Sequence, residues 1–263
     1  WVVMLNKETE LWGAGNYNKE NEVAAFKVDT IKTSNFTESF TIDFNTFTAF
    51  GAMMNLTWEN TQVSVPVMTL GKEKLAELRF KRGSEILAKH GATTRLWKVI
   101  VGQGVGDLVL MSMYESFSKG ATAFQSFSGD PDMAALMDER SASPAGELRG
   151  PNLFRMAYGA PSNPPRPILV QRMYHMPRKN LSKALELAPE MDALTKSLDV
   201  SMGVGVPMLA SDHEMMGVVY RFNSLEHWGT AVDSMSQNPK FAALVEKANN
   251  LGAIKSSRML MHV

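Results

Sequence analysis

A chain of 263 residues carrying 27 basic and 27 acidic side chains has no formal net charge. That excludes a general electrostatic grip on nucleic acid or on an anionic membrane surface. Cysteine is absent, which excludes disulfides, thiolate metal sites and a cysteine nucleophile. No run of about eighteen apolar residues exists, so no spanning helix is expected.

Residues 1–62 read as an N-terminal arm or β-hairpin extension. The first part, to about Val23, is rich in Asn, Glu and Lys and reads as irregular. It opens at Trp1 without a basic-then-apolar leader, which reads as a trimmed or processed start. The following stretch is rich in Phe, Thr and Ile, with Phe40, Ile42 and Phe44 alternating, a strand pattern.

From Val63 the elements are expected in the order β-α-β-β-α-β. Val63–Met68 is a short β-rich run. Lys72–His90 has helical spacing and meets Gly91 where a C-cap would stand. Thr93–Val101 and Leu108–Glu115 read as strands joined by the Gly102–Gly106 turn. Ser118 is the expected cap of a helix towards Phe127, and Asp130-Pro131 opens another. Asn152–Tyr158 closes this first unit, residues 63–158. Residues 159–167 (GAPSNPPRP) are a Pro-rich linker.

The order then recurs over residues 168–263. Ile168–His175 is a strand. Asn180–Leu198 is helical, with Pro189 expected to kink or split it. Val200–Ala210 and Met215–Phe222 form the middle hairpin. Ser224–Met235 and Pro239–Asn249 are helical, and Ser256–His262 is the final strand. Pro131 falls on Pro239 and Ala134-Ala135-Leu136 on Ala242-Ala243-Leu244, a constant offset of 108 residues. Such a repeat decides the fold reading.

Helices can cover only one face of each four-stranded unit, so two units are expected to pack sheet to sheet. In element order, tandem repeat and helix-start sequence, residues 63–263 resemble the dimeric α/β-barrel (ferredoxin-like) superfamily. Their tandem layout is most similar to NIPSNAP-like and stress-responsive barrel proteins. The resemblance implies an α+β fold of two tandem ferredoxin-like units pairing as a barrel. It also implies a cavity in which cofactor-free oxygenases and isomerases of the superfamily enclose apolar or aromatic compounds.

Arginine in an apolar strand must be paired or line a wet cavity. Arg95, Trp97, Arg155, Arg172, Tyr174, His175, Tyr220 and Arg258 are therefore the candidate barrel-pocket residues, orienting an acidic or carbonyl-bearing small molecule. The alternative is that the arginine stems cover the sheet while their heads reach solvent. The five histidines form no close ligand pair, so neither a metal nor a cofactor is expected. The glycines at 102–106 join two strands and so lack the strand-to-helix context of a phosphate loop. His213 and Glu214 should be exposed in the middle hairpin.

Two functions follow as expectations, and whether the protein is an enzyme stays open between them. One is a small-molecule barrel, binder or enzyme. The other is a structural or assembly protein that self-associates through its barrel units and N-terminal arm. No nucleic-acid partner is expected, and the cytoplasm is the default location.

Overall fold

The alternating Thr, Phe and Ile residues form one long strand, β3 (Thr30–Thr48), which pairs antiparallel with β4 (Gly51–Met68). Residues 1–10, 15–48, 51–68 and 71–263 are described in this computed structural model. The chain divides into two units, Trp1–Lys74 and Leu75–Val263.

In the first unit, the stretch expected to be irregular contains β1 (Val2–Asn6) and β2 (Glu22–Lys27), paired antiparallel. Residues 11–14 of that stretch lie outside the described residues. In the β3–β4 hairpin, Ile42 faces Leu56 and Phe44 faces Met54, so these four share one face. The opposite face is polar. There Asn55, buried, donates to Asp43 at 3.0 Å and accepts from Ser64 at 2.8 Å and Gln62 at 3.2 Å. Asn55 and these partners on its own strand are brought together across a bend at Glu59, whose φ is 52°.

The second unit holds most of α1 (Lys72–Lys89), then β5 (Thr93–Gly102), β6 (Leu108–Met113), α2 (Phe117–Ser128), α3 (Pro131–Ala142) and β7 (Leu153–Tyr158). After the linker come β8 (Ile168–His175), α4 (Leu181–Glu186), α5 (Ala188–Lys196), β9 (Ser201–Leu209) and β10 (Met215–Phe222). The chain ends with α6 (Leu225–Ser236), α7 (Pro239–Asn249) and β11 (Ala253–His262).

Capping chemistry sets the helix starts. Asp130 and Asn238, at equivalent places in the repeat, accept the backbone N–H of Asp132 and Lys240. Pro131 and Pro239 occupy the first turns, where a missing N–H costs nothing. Ser224 caps α6 through the N–H of His227. The α2 cap is Ser116, which accepts from Lys119, in place of the expected Ser118. Pro189 splits the helix expected over 180–198 into α4 and α5.

Seven antiparallel strands lie in the order β6-β5-β11-β8-β10-β9-β7. Two four-stranded repeats would give eight. The run expected to open the first repeat, Val63–Met68, is instead the end of β4, where Val63 faces Thr30 and Gln62 faces Ile31 of β3. A hairpin partner is close in sequence, so its pairing closes a short loop. The edges of the seven-stranded sheet are β6 and β7.

Side chains alternate between the two sheet faces. Ile168, Met202, Val204, Val218, Tyr220 and Phe222 meet Ala184, Ala188, Ala231 and Met235 of α4, α5 and α6 in the main core. On β5, Thr94 bonds Ser84 of α1, so α1 covers the same face. Trp97, Val99, Leu169 and Leu260 form a second cluster with Val109, Met111 and Val219. By alternation these residues lie on the opposite face, turned away from α4, α5 and α6.

Candidate functional site

The eight candidate residues divide between these two faces. Arg172, Tyr174 and Tyr220 point to the helices. The Arg172 guanidinium stands 5.6 Å from the centre of the Tyr220 ring. Arg172 and Tyr220 border a gap of about 20 Å³ closed by Trp228, Val232, Met235 and Phe241, too tight for anything beyond water. Burial pushes the Tyr220 phenol up to about 12, reinforced by Tyr174 and opposed by Arg172. Arg155 is exposed on the edge strand β7.

Arg95, Trp97, His175 and Arg258 belong to the opposite face, that of the Trp97–Leu260 cluster. His175 is partly exposed and 3.9 Å from Glu214, which is exposed, as is His213. Arg258 donates through Nε to its register partner Gln171 at 2.8 Å, and burial lowers its pKa. Trp97 is only 1% exposed, and its Nε1 has no hydrogen-bond partner. Arg95 is 8% exposed and donates to the Ser162 carbonyl.

Arg221 of β10 shares this face with Val219 and is 5% exposed. It reaches the hydroxyl of its register partner Ser201 at 3.4 Å. Burial lowers its pKa to about 10, with Arg95 and Arg166 adding repulsion. Sequence reasoning passed over Arg221, although MMGVVYRF carries the same signal as Arg95: one arginine in an apolar strand. Arg166 was also missed, because a linker residue offers no periodicity.

An open cleft of about 780 Å³ lies beside the β6 edge, within the size range of small-molecule sites. Arg95 stands on its wall with His90, Tyr114, Ser118, Lys119 and Thr122. Pro161 and Asn163 of the linker complete it. Two hydrogen-bonded pairs border this cleft. His90 Nε2 meets Asp130 at 2.8 Å, and Lys119 pairs with Glu115. The His90 contact is the largest influence holding the Asp130 carboxyl below its usual range. Arg95 is the one candidate of the eight on the cleft wall.

Among the described residues, no group of three or more His, Cys, Asp or Glu could hold a metal ion, and no helix is long and apolar enough to cross a membrane.

The second unit is an α+β structure whose curled antiparallel sheet forms a half-barrel. A candidate monooxygenase from Fusobacterium nucleatum subsp. nucleatum ATCC 25586 shares this fold with a TM-score of 0.51 at 8% identity, over 72% of this chain and 86% of its own. An anthrone oxidase-like protein does so with a TM-score of 0.52 at 13% identity, over 73% and 85%. At such identities the likeness is one of fold. A family described as a protein of unknown function (DUF2911) matches residues 1–67, ending within β4. Among curated proteins, none matches this chain.

Proposed function

We propose that the second unit is a small-molecule-binding barrel, acting on an apolar or aromatic compound as a cofactor-free oxygenase or isomerase. The observation that carries this reading is Arg95: buried, without a carboxylate partner, on the wall of a 780 Å³ cleft. Apolar side chains behind it, Trp97 and Val99, exclude water and strengthen any polar contact made there. The names of the two structural neighbours favour oxygenase chemistry as the first activity to assay.

We read residues 63–158 and 168–263 as tandem ferredoxin-like units, the first with its opening strand paired to β3 and not in the seven-stranded sheet, with 159–167 as linker and 1–62 as arm. The start positions of α2 and α6, and of α3 and α7, keep the 108-residue offset, which supports that reading. The same tandem layout underlies the likeness to NIPSNAP-like proteins.

Native mass spectrometry with a panel of hydroxylated naphthalenes and anthrones, paired with an oxygen electrode, tests the function. A 1:1 complex lost in Arg95→Ala is the expected result. Absence of any complex at millimolar compound would sink the reading.

A second reading is supported by the β3–β4 hairpin. Phe40, Ile42 and Phe44 are more than half exposed on its apolar face, and an isolated two-stranded hairpin is marginal in water. Self-association through the arm would cover that face. Light scattering on the chain with and without residues 1–62 checks it, and an unchanged mass counts against it.

A further inference from the structure

Guanidinium groups gather around the linker in excess of the carboxylates available to them. The carbonyl of Ser162 accepts from Arg95. The hydroxyl of the same serine accepts from the backbone N–H of Arg166 at 3.3 Å. Arg166 Nη1 donates to the carbonyl of Asp199 and, at 3.4 Å, to that of Arg221. Arg95 and Arg166 thus meet at one short segment, the Arg221 guanidinium, turned to Ser201, lies near enough to be repelled by both, and one carboxylate, Asp199, stands beside them. Its two oxygens are already engaged, one by Arg166 Nη2 at 2.8 Å and the other by Asn223 at 2.6 Å.

Arg95 and Arg221 therefore stay uncompensated. Each is more than nine-tenths buried, and the partners found for them are neutral oxygens, Ser162 and Ser201. On the strand of Arg95, Trp97 adds a buried N–H with no acceptor. Buried donors are ordinarily paired, and buried charge more strictly so. Here the surplus is entirely of donors and of positive charge. What would balance it is an acceptor-rich anion, and Arg95 is reached from the cleft.

We propose that the cleft takes a small organic carboxylate, whose carboxylate group Arg95 holds in its guanidinium fork while Arg221 supplies a second, longer-range positive charge. The inference rests on the cleft being a small-molecule site and adds the charge of its ligand. A planar fork against a carboxylate is the strong, oriented form of this contact. The body of the ligand would lie along Met113, Tyr114 and Ala123, the apolar part of the same wall. Glu115 does not compete for Arg95, since Lys119 holds it.

The test is titration calorimetry of the full chain with 2-naphthoate and with its neutral isostere 2-naphthamide. Naphthoate is expected to bind at least tenfold tighter, and tenfold more sodium chloride should weaken it several-fold while leaving the amide unchanged. In Arg95→Gln the two compounds should bind alike, and Arg95→Lys should restore part of the preference. If that variant fails to fold, competition against naphthoate on the unaltered chain by benzoate and by neutral benzamide keeps the test, with benzoate alone expected to displace it and equal displacement overturning the carboxylate. Equal binding of acid and amide overturns the carboxylate inference while leaving the small-molecule cleft standing. Binding of neither compound overturns both.

Discussion

Trp97 and His262 are register partners across the β5–β11 pair, their rings edge to face with centroids 5.1 Å apart at 87°. The imidazole sits in a partly buried place, and burial, then the charge of Arg95, lowers its pKa below the ordinary histidine value. A depressed histidine pKa makes the unfolded chain bind more protons on mild acidification. Stability is therefore full above about pH 6.5 and falls as the pH drops towards the folded-state value. Urea denaturation between pH 7 and pH 5 should show this loss, and His262→Gln should flatten it. An unchanged slope in that variant would assign the acid sensitivity elsewhere.

How far such features were legible beforehand depends on their range. Helix starts at Pro131, Pro239, Ser224 and the break at Pro189 are local, set by residues within one turn. Pairing is not local. The run Val63–Met68 reads as a strand, yet nothing in it says whether its partner is β3 or a strand far downstream. Alternation orders residues within a strand but does not say which parity faces the helices. That is why Arg95 and Arg172 were grouped although they point to opposite faces. The Arg95–Ser162 contact spans 67 residues, and no sequence spacing announces it.

Tyr220 carries the high-pH counterpart of the first prediction. Its folded-state pKa of about 12 is above the ordinary phenol value of 10.0. A raised phenol holds its proton longer in the folded chain, so stability is intact below pH 10 and declines as pH rises towards 12. Tyr220→Phe should soften this alkaline loss. Absorbance titration at about 295 nm, following phenol ionisation, should show one fewer late-titrating tyrosine. An unaltered titration would mean that Tyr220 is not the late group.

The linker is fixed at its start by Gly159, whose φ is 72° and whose added Cβ would come 2.4 Å from the Met202 carbonyl. Backbone atoms cannot yield as a flexible side chain can. Gly159→Ala should cost more than about 1 kcal/mol, from both the left-handed conformation and the clash. It should also shift Ser162 and weaken naphthoate binding. Gly91→Ala, at φ 87° with nothing near its Cβ, is the control with conformational cost alone. Thermal melts of both variants check the order, and equal losses would remove the argument from close approach.

Leu260 has no exposed surface and packs with Trp97, Val99 and Leu169 in the second cluster. Leu260→Ala should cost about 2–5 kcal/mol, as deletions in packed cores do. Trp97→Phe removes the unpartnered Nε1–H along with part of the ring, so it should cost less than Trp97→Ala. Denaturation midpoints at a fixed slope compare them. A Trp97→Phe loss as large as the alanine loss would mean that the indole N–H has an acceptor.

Arg221 provides the sharpest separation between stability and binding. Its charge is buried against neutral partners and is repelled by Arg95 and Arg166. Replacing an uncompensated buried charge by an apolar side chain of similar length removes a desolvation cost. Arg221→Met should therefore raise the melting temperature in the absence of ligand, most clearly at low salt, where repulsion is least screened. The same variant should bind naphthoate more weakly, because the longer-range positive charge behind Arg95 is gone. A residue that destabilises the free protein and strengthens ligand binding is a binding residue in the physical sense. A lower melting temperature for Arg221→Met, with unchanged naphthoate affinity, would instead make the guanidinium a structural element of the sheet.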